Sequence, residues 1–526
     1  MSRLQGIDQS VERSWRETLR AFLHPRVVTM LFFGFSAGVP LLLIFSSLSL
    51  WLREAGVERS TVTFFSWAAL GYSFKFIWAP LIDRLPLPLL TRRLGRRRAW
   101  ILTAQLSIVV AVLWMGSVNP AGGEQALMMM AAAAVLLGFS SATQDIVIDA
   151  YRIESAPLDL QALMSSTYIT GYRIGMLAAG AGALFMASAL GSEKGSYDYS
   201  AWQLTYYAMA GLMLVGIATT LLIDEPEVNR SHEGEYDSRD YAGFLLLFLI
   251  AVSGFVASFW LSADWAERMK TTLADALDNK PLAGIAVEAL RLALAIAVAA
   301  ALARLMLWSG RVNRALVRDT WIDPIRDFFT RYSTRVALLL LLLVGTYRIS
   351  DIVLGVITNV FFQDLGFTKP EIATIVKTFG LFMTIAGGFL GGVLAARHGV
   401  MRILFLGALL TVTTNLLFLL LAQAGHSIPL LYVVISADNL SAGLASAAFI
   451  AFLSGLTNTS FTAVQYAIFS SLMSLLPKMI GGYSGSMVDS IGYSNFFLFA
   501  ALLGVPVLGL IWLANRWLLL REHPET

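Results

Sequence analysis

Asp145, Asp149 and Arg152 stand at spacings of four and three in the stretch SATQDIVIDAYR, with Gln144 beside the first of them. On an α-helix those spacings put the three charged groups in one stripe. Two carboxylates on one face of an apolar helix need not both be ionised, because like charge and lost hydration favour a proton on one of them. This is chemistry suited to carrying a proton: Asp145, one turn further from Arg152, is the expected carrier and Asp149 its modulating partner. The plainer alternative is that Arg152 neutralises one carboxylate and nothing moves. Arg348 and Asp351 repeat the theme at i,i+3. Four cations inside apolar runs, Lys75, Arg173, Arg348 and Lys377, thus balance four anions, Asp145, Asp149, Asp351 and Asp438. Such a set either makes interhelical ion pairs or lines an aqueous path that binds a charged solute. Tyr72, Tyr172 and Tyr347, near these charges, could stack on sugar faces, although most aromatics near helix ends are interfacial anchors. With no cysteine, thiolate chemistry is excluded, and the five histidines (24, 232, 398, 426 and 523) all fall in loops or termini. Carboxylates must therefore carry any proton. No metal-ligand cluster or cofactor motif is present, which leaves an ion gradient as the energy source.

The elements that must hold these groups follow from hydropathy. Of 526 residues 57% are hydrophobic and 14% charged, far from the balance of a soluble domain. The expected fold is all-α and integral to the membrane. A net charge of +3 gives no reason to expect a nucleic-acid partner, and the polar N-terminus has no apolar core of a cleaved signal. Apolar runs at about 27–50, 61–82, 99–118, 124–149, 161–189 and 202–223 predict six spans, and runs at 335–361, 370–395, 401–422, 429–455, 461–483 and 496–518 predict six more. Two further runs, 241–262 and 282–308, lie between them. The expected organisation is a cytoplasmic segment (1–26), a six-helix bundle (27–223), a central segment with two extra spans (224–334), a second six-helix bundle (335–518) and a cytoplasmic tail (519–526). With both termini inside, Lys and Arg concentrate in cytoplasmic segments, as the positive-inside rule requires. Dropping one middle span would invert every later loop. A pair of surface helices is the rival reading for 241–308, and the intervening 263–281 is expected as an outer loop.

Two six-helix halves around a central segment resemble the parallel repeat of the major facilitator superfamily, in which the halves rock about a midplane cavity. The loop after the second span, with Asp83, Arg84, Gly95, Arg96, Arg97 and Arg98, looks like a stretched form of that superfamily's signature. GGVLAARHGVMR supplies Gly391, Gly392, Arg397, Gly399 and Arg402 at the matching place in the second half. Asp83, Arg84, Arg96, Arg97, Arg152 and Arg397 are accordingly candidate gating residues, since guanidinium groups at helix ends can pair with a facing Asp and hold one conformation shut. FKFIWAPLID, SATQDIVIDAYR, GYRIGML, PIRDFF, and YRISD with VKTFG narrow the resemblance to AmpG-type muropeptide permeases. That resemblance implies an inner-membrane importer of N-acetylglucosaminyl-1,6-anhydro-N-acetylmuramyl peptides, driven by protons, serving cell-wall recycling and β-lactamase induction. It also implies a monomer whose partners are a sugar–peptide substrate, protons and the lipid bilayer. Lys75, Gln144, Arg173, Arg348, Asp351, Lys377, Asp438 and the three tyrosines are the expected substrate contacts.

Two other readings stay open from the residues. The cations cannot tell carboxylate from phosphate, so another anion, such as a nucleotide-sugar or an acyl-CoA-like molecule, is an alternative cargo. A membrane-embedded enzyme of lipid-linked sugars is disfavoured by the absence of a nucleophile elbow, phosphate loop or metal site.

Overall fold

Helix formation is imposed by the solvent: in hydrocarbon every backbone N–H and C=O must be satisfied within its own segment. The computed structural model describes residues 15–44, 46–57, 65, 72, 74–192, 195–227, 236–368, 371–481 and 483–522. The first half contains α1 (Pro25–Glu54), α2 (Ala79–Arg84), α3 (Arg96–Gly116), α4 (Glu124–Ser155), α5 (Leu158–Ala189) and α6 (Tyr199–Leu222). The central segment contributes α7 (Ser238–Leu261), α8 (Ala263–Leu277) and α9 (Lys280–Trp308). The second half is α10 (Asp323–Thr346), α11 (Ile349–Asp364), α12 (Ile372–His398), α13 (Val400–Ala424), α14 (Ile428–Leu456), α15 (Thr462–Gly481) and α16 (Ser484–Glu522). Among the described residues thirteen helices are long and apolar enough to cross a membrane. Most of the span expected at 61–82 lies outside the described residues; its described end is a short turn at Lys75–Ile77 followed by α2.

Glycines set the closest packing. A Cβ on Gly34 or Gly38 of α1 would collide with the carbonyls of Tyr168 and Tyr172, and one on Gly171 or Gly175 of α5 would collide with those of Leu31 and Phe35. The two Gly-x-x-x-Gly pairs thus face each other, and backbones meet where lipid-like side chains would hold them apart. In the second half Gly387 of α12 faces Leu440 of α14, and Gly443 of α14 faces Thr384 of α12, in the same way. The halves meet along α5 with α12, where Gly392 abuts Ser166, and along α15 with α2 and α4.

The sequence misplaced some boundaries. Residues 263–281, expected as a loop, form the amphipathic helix α8, with Ala266 buried and Asp264, Glu267 and Arg268 exposed. Its polar content hid a helical pattern. The first helix of the second half begins at Asp323, with a break at Ser333, whose φ of 61° lies in the left-handed region. The last helix begins at Ser484, well before 496, and bends at Gly492. The central pair α7 and α9 is peripheral: only 11% and 12% of their most apolar windows are buried, against 50% for α3 and α4.

Both central helices being long enough to cross, α8 is expected on the periplasmic side. A single cysteine at Asp275, exposed on α8 of this cysteine-free chain, should react with an impermeant maleimide in intact spheroplasts. Labelling only after lysis would place α8 inside and remove one crossing.

Candidate functional site

The stripe on α4 is resolved into two unlike carboxylates. Asp149 stands between two cations, its Oδ1 accepting from Arg152 Nη2 at 3.2 Å and its Oδ2 lying 3.9 Å from Lys75 Nζ. Asp145, one turn away, has no ion pair among the described residues; its Oδ1 accepts from the Tyr168 hydroxyl at 3.4 Å. Asp149 is thereby committed to structure, whereas Asp145 is held by one long, neutral hydrogen bond. Lys75 is buried on a short turn at Lys75–Ile77, just ahead of α2.

A second cluster straddles the two halves. Arg348 Nη2 donates to Asp351 Oδ2 within α11's first turn. Arg173, from α5 in the first half, lies within electrostatic range of both Arg348 and Asp351. Asp438 of α14 lies near Asp351 and Thr414. Lys377 is exposed on a π-helical first stretch of α12 and makes no ion pair among the described residues. The arrangement leaves guanidinium and carboxylate groups of both halves beside one another, half-buried and able to accept a zwitterionic solute.

Three expected contacts sit elsewhere. Gln144 is fully buried and accepts from Ser36 Oγ at 3.2 Å, so it faces α1 and α6 rather than the second half. Tyr347 donates to the Leu404 carbonyl at 3.0 Å and stacks on Phe449 at 4.3 Å. Its ring belongs to the core of the second half. The Tyr72 hydroxyl is buried near Ser141, Asp145 and Tyr172, and Tyr172 is half-buried, 6.1 Å from Tyr168.

The expected gating residues converge at one end of the bundle. Arg97, 1% exposed, donates from Nη2 to Asp83 Oδ1 at 2.7 Å and from Nε to Glu154 Oε2 at 3.0 Å. Arg96 donates to the Asp83 carbonyl at 2.7 Å. The same Asp83 carboxylate accepts the backbone N–H groups of Ala463 (3.3 Å) and Val464 (2.9 Å). These amides open α15, so a first-half carboxylate satisfies the unpaired donors and positive dipole end of a second-half helix. Arg152, fully buried, reinforces the seam: besides Asp149 it reaches Ser454 Oγ of α14 at 2.7 Å and lies 5.3 Å over the Tyr466 ring of α15. Arg84 donates to the Asp319 carbonyl at 3.3 Å, and Arg397 lies in the last turn of α12. Gly95, with φ 86°, lets Glu225 approach and accept from the amides of Arg97 and Arg98 at 2.8 and 3.0 Å.

Sequence reasoning missed Glu154, Ser454, Tyr466 and the second-half network of Asp327, Arg331, Asn458 and Gln465, in which Gln465 Nε2 donates to Asp327 Oδ2 at 2.9 Å. Apart from the i,i+4 pair of Asp327 and Arg331, no local pattern marks them, because most partners are remote in the chain. Glu371 is structural: it accepts from the Thr368 amide at 2.8 Å, a bond that holds its carboxyl below the usual range, and pairs with His426 at 3.3 Å.

Residues 61–347 match the family profile described as Major Facilitator Superfamily. The chain is 29% identical over 496 residues to the putative transporter AmpG 4 of Rickettsia conorii, covering 94% of this chain and 98% of that one. It is 29% identical over 501 residues to the anhydromuropeptide permease of Escherichia coli K12, covering 95% and 82%. Among solved structures it shares the fold of the proton:xylose symporter XylE bound to 6-bromo-6-deoxy-D-glucose, with TM-score 0.57 at 13% identity over 94% of this chain and 96% of that one. The fold of FucP in its outward conformation matches with TM-score 0.57 at 12% identity over 94% and 99%.

If Asp83 and Arg152 close this end, Asp83→Ala should loosen it. A single cysteine at Ala467, 1% exposed on α15, should then react at least fivefold faster with impermeant maleimide in inverted vesicles. An unchanged rate would make the cluster a static ion-pair network.

Proposed function

The chain belongs to the major facilitator superfamily of membrane transporters, and from that premise we propose that it imports anhydromuropeptides across the inner membrane together with protons. The observation that carries this reading is the electrostatically coupled cross-half set of Arg173, Arg348, Asp351 and Asp438, together with a separately held carboxylate on α4, Asp145. A sugar–peptide carries carboxylates and an amine, which such a mixed set can match one for one. The likeness over 95% of the chain to a permease named for anhydromuropeptides supports the choice of cargo. On this reading the imported product enters cell-wall recycling, and no cofactor takes part.

Two roles divide between the clusters. The mixed cluster holds substrate and draws the halves together around it, since its members come from both. Asp145 carries the proton, because Asp149 is already engaged by Lys75 and Arg152 while Asp145 has a protonatable side free. Tyr168, its hydroxyl partner, can either donate to the carboxylate or accept from the carboxyl, so it suits both forms.

Asp145→Asn should retain counterflow of labelled anhydromuropeptide in proteoliposomes yet lose accumulation driven by a pH gradient. Full accumulation by this variant would rule out Asp145 as the carrier and shift the role to Asp351 or Asp438. Arg348→Ala and Lys377→Ala should each weaken substrate binding by roughly tenfold to a hundredfold, the worth of a charge-assisted hydrogen bond of about 1.5–3 kcal/mol. Wild-type affinity in either variant would assign that residue to structure.

A further inference from the structure

Residues 314–364 are a nearly unbroken helical path of 51 residues. At 1.5 Å per residue it would extend about 77 Å, more than twice the ~30 Å hydrocarbon thickness. The path must therefore leave the membrane normal, and the backbone shows where: Gly310 with φ 72° precedes it and Ser333 with φ 61° interrupts it. From residue 334 to Asp364 about 46 Å remains, enough for one tilted crossing. Residues 314–332 are left over, as an interfacial helix on the side of the gating cluster, to which it is tied by the Arg84–Asp319 and Tyr236–Asp319 hydrogen bonds of 3.3 and 2.6 Å.

Its inner face is packed, with Leu316, Thr320 and Phe328 buried. Its outer face carries Arg314, Arg318, Ile322, Ile325 and Arg326, all exposed, Ile322 at 55% and Ile325 at 48%. Spacings of three and four put these groups on one stripe, with a pair of isoleucines flanked by arginines on both sides. A soluble surface has no use for the isoleucines, and a helix buried in lipid tails has no place for the arginines. Of the acids nearby, Asp319 is engaged by Tyr236, Asp327 pairs with Arg331, and Asp323 lies 3.9 Å from Arg318, so the stripe of three arginines keeps a net positive charge. Trp308, 83% exposed just before the turn at Gly310, adds an interfacial anchor.

We infer that residues 314–332 form a binding surface for anionic phospholipid, in which Ile322 and Ile325 enter the acyl boundary while Arg314, Arg318 and Arg326 hold the phosphate-bearing headgroups. The surface is joined to the gating cluster of the first half through Asp319, whose carbonyl accepts from Arg84 at 3.3 Å, and to the second half through Asp327, whose carboxylate accepts from Asn458 and Gln465 at 3.0 and 2.9 Å. Headgroup charge thus steadies a helix that abuts the gating cluster. The inference is independent of the identity of the cargo.

Binding of fluorescent phosphatidylglycerol and phosphatidylcholine to the full-length detergent-solubilised chain tests this directly. The wild-type protein should prefer phosphatidylglycerol at least tenfold at 50 mM salt, and the preference should fall at 500 mM. Replacing Arg314, Arg318 and Arg326 by Gln should cost the preference about fivefold per arginine, the contribution of one basic side chain near an anionic surface. Ile322→Ser with Ile325→Ser should weaken binding of both lipids alike. Equal wild-type affinity for the two lipids would overturn the inference and leave the arginines as topogenic charge, a result that needs no variant to fold. A triple Gln variant that keeps the wild-type preference would overturn it as well.

Discussion

A charge in hydrocarbon must be neutralised by a group within reach, and here the group within reach is repeatedly on the other half of the molecule. Asp83 meets the amide donors that open α15, and Arg152 meets Ser454 and Tyr466. Breaking a buried pair by removing one partner costs on the order of 3–5 kcal/mol, because the remaining charge stays uncompensated. The halves are therefore held at one end by contacts whose loss is expensive but which can be exchanged for water when that end opens. This makes two states possible where an all-apolar seam would slide continuously or not at all.

The same constraint explains why the two carboxylates of α4 differ. Asp149 is tied to Arg152, which is tied in turn to the second half, so its environment belongs to the closed seam. Asp145 is one turn further into the helix, beside Tyr168 and Tyr172 of α5. Facing glycines on α1 and α5 bring the backbones into contact, and this close packing fixes where Tyr168 and Tyr172 stand. Packing of small residues thus decides the geometry of polar ones, and on the proposed reading the polar ones decide which carboxylate carries the proton.

What could be read from the sequence was what is local. The Arg348–Asp351 and Asp149–Arg152 pairs follow from i,i+3 spacing. The all-helical transmembrane architecture followed from hydropathy, and the transporter superfamily, whose profile matches residues 61–347, from the two-half organisation and the basic loop after the second span. Partners distant in the chain were not legible: Glu154 reaches Arg97 and Ser454 reaches Arg152 only because helices fold back on one another. Tyr347 was misjudged for the same reason, since nothing nearby in sequence announces that Phe449 and the Leu404 carbonyl take both its ring and its hydroxyl. Residues 263–277 looked like a loop because charge at every third or fourth position lowers hydropathy without breaking a helix.

Coupling of substrate to protons is the claim on which the account turns, and simultaneous flux decides it. The wild-type protein would be placed in liposomes containing a pH-sensitive dye, with membrane potential clamped at zero, and labelled anhydromuropeptide added outside. Uptake of label accompanied by lumenal acidification at a fixed ratio, both absent from protein-free liposomes, is the predicted result. Uptake with no acidification, or acidification evoked by a nucleotide-sugar but not by the muropeptide, would contradict it.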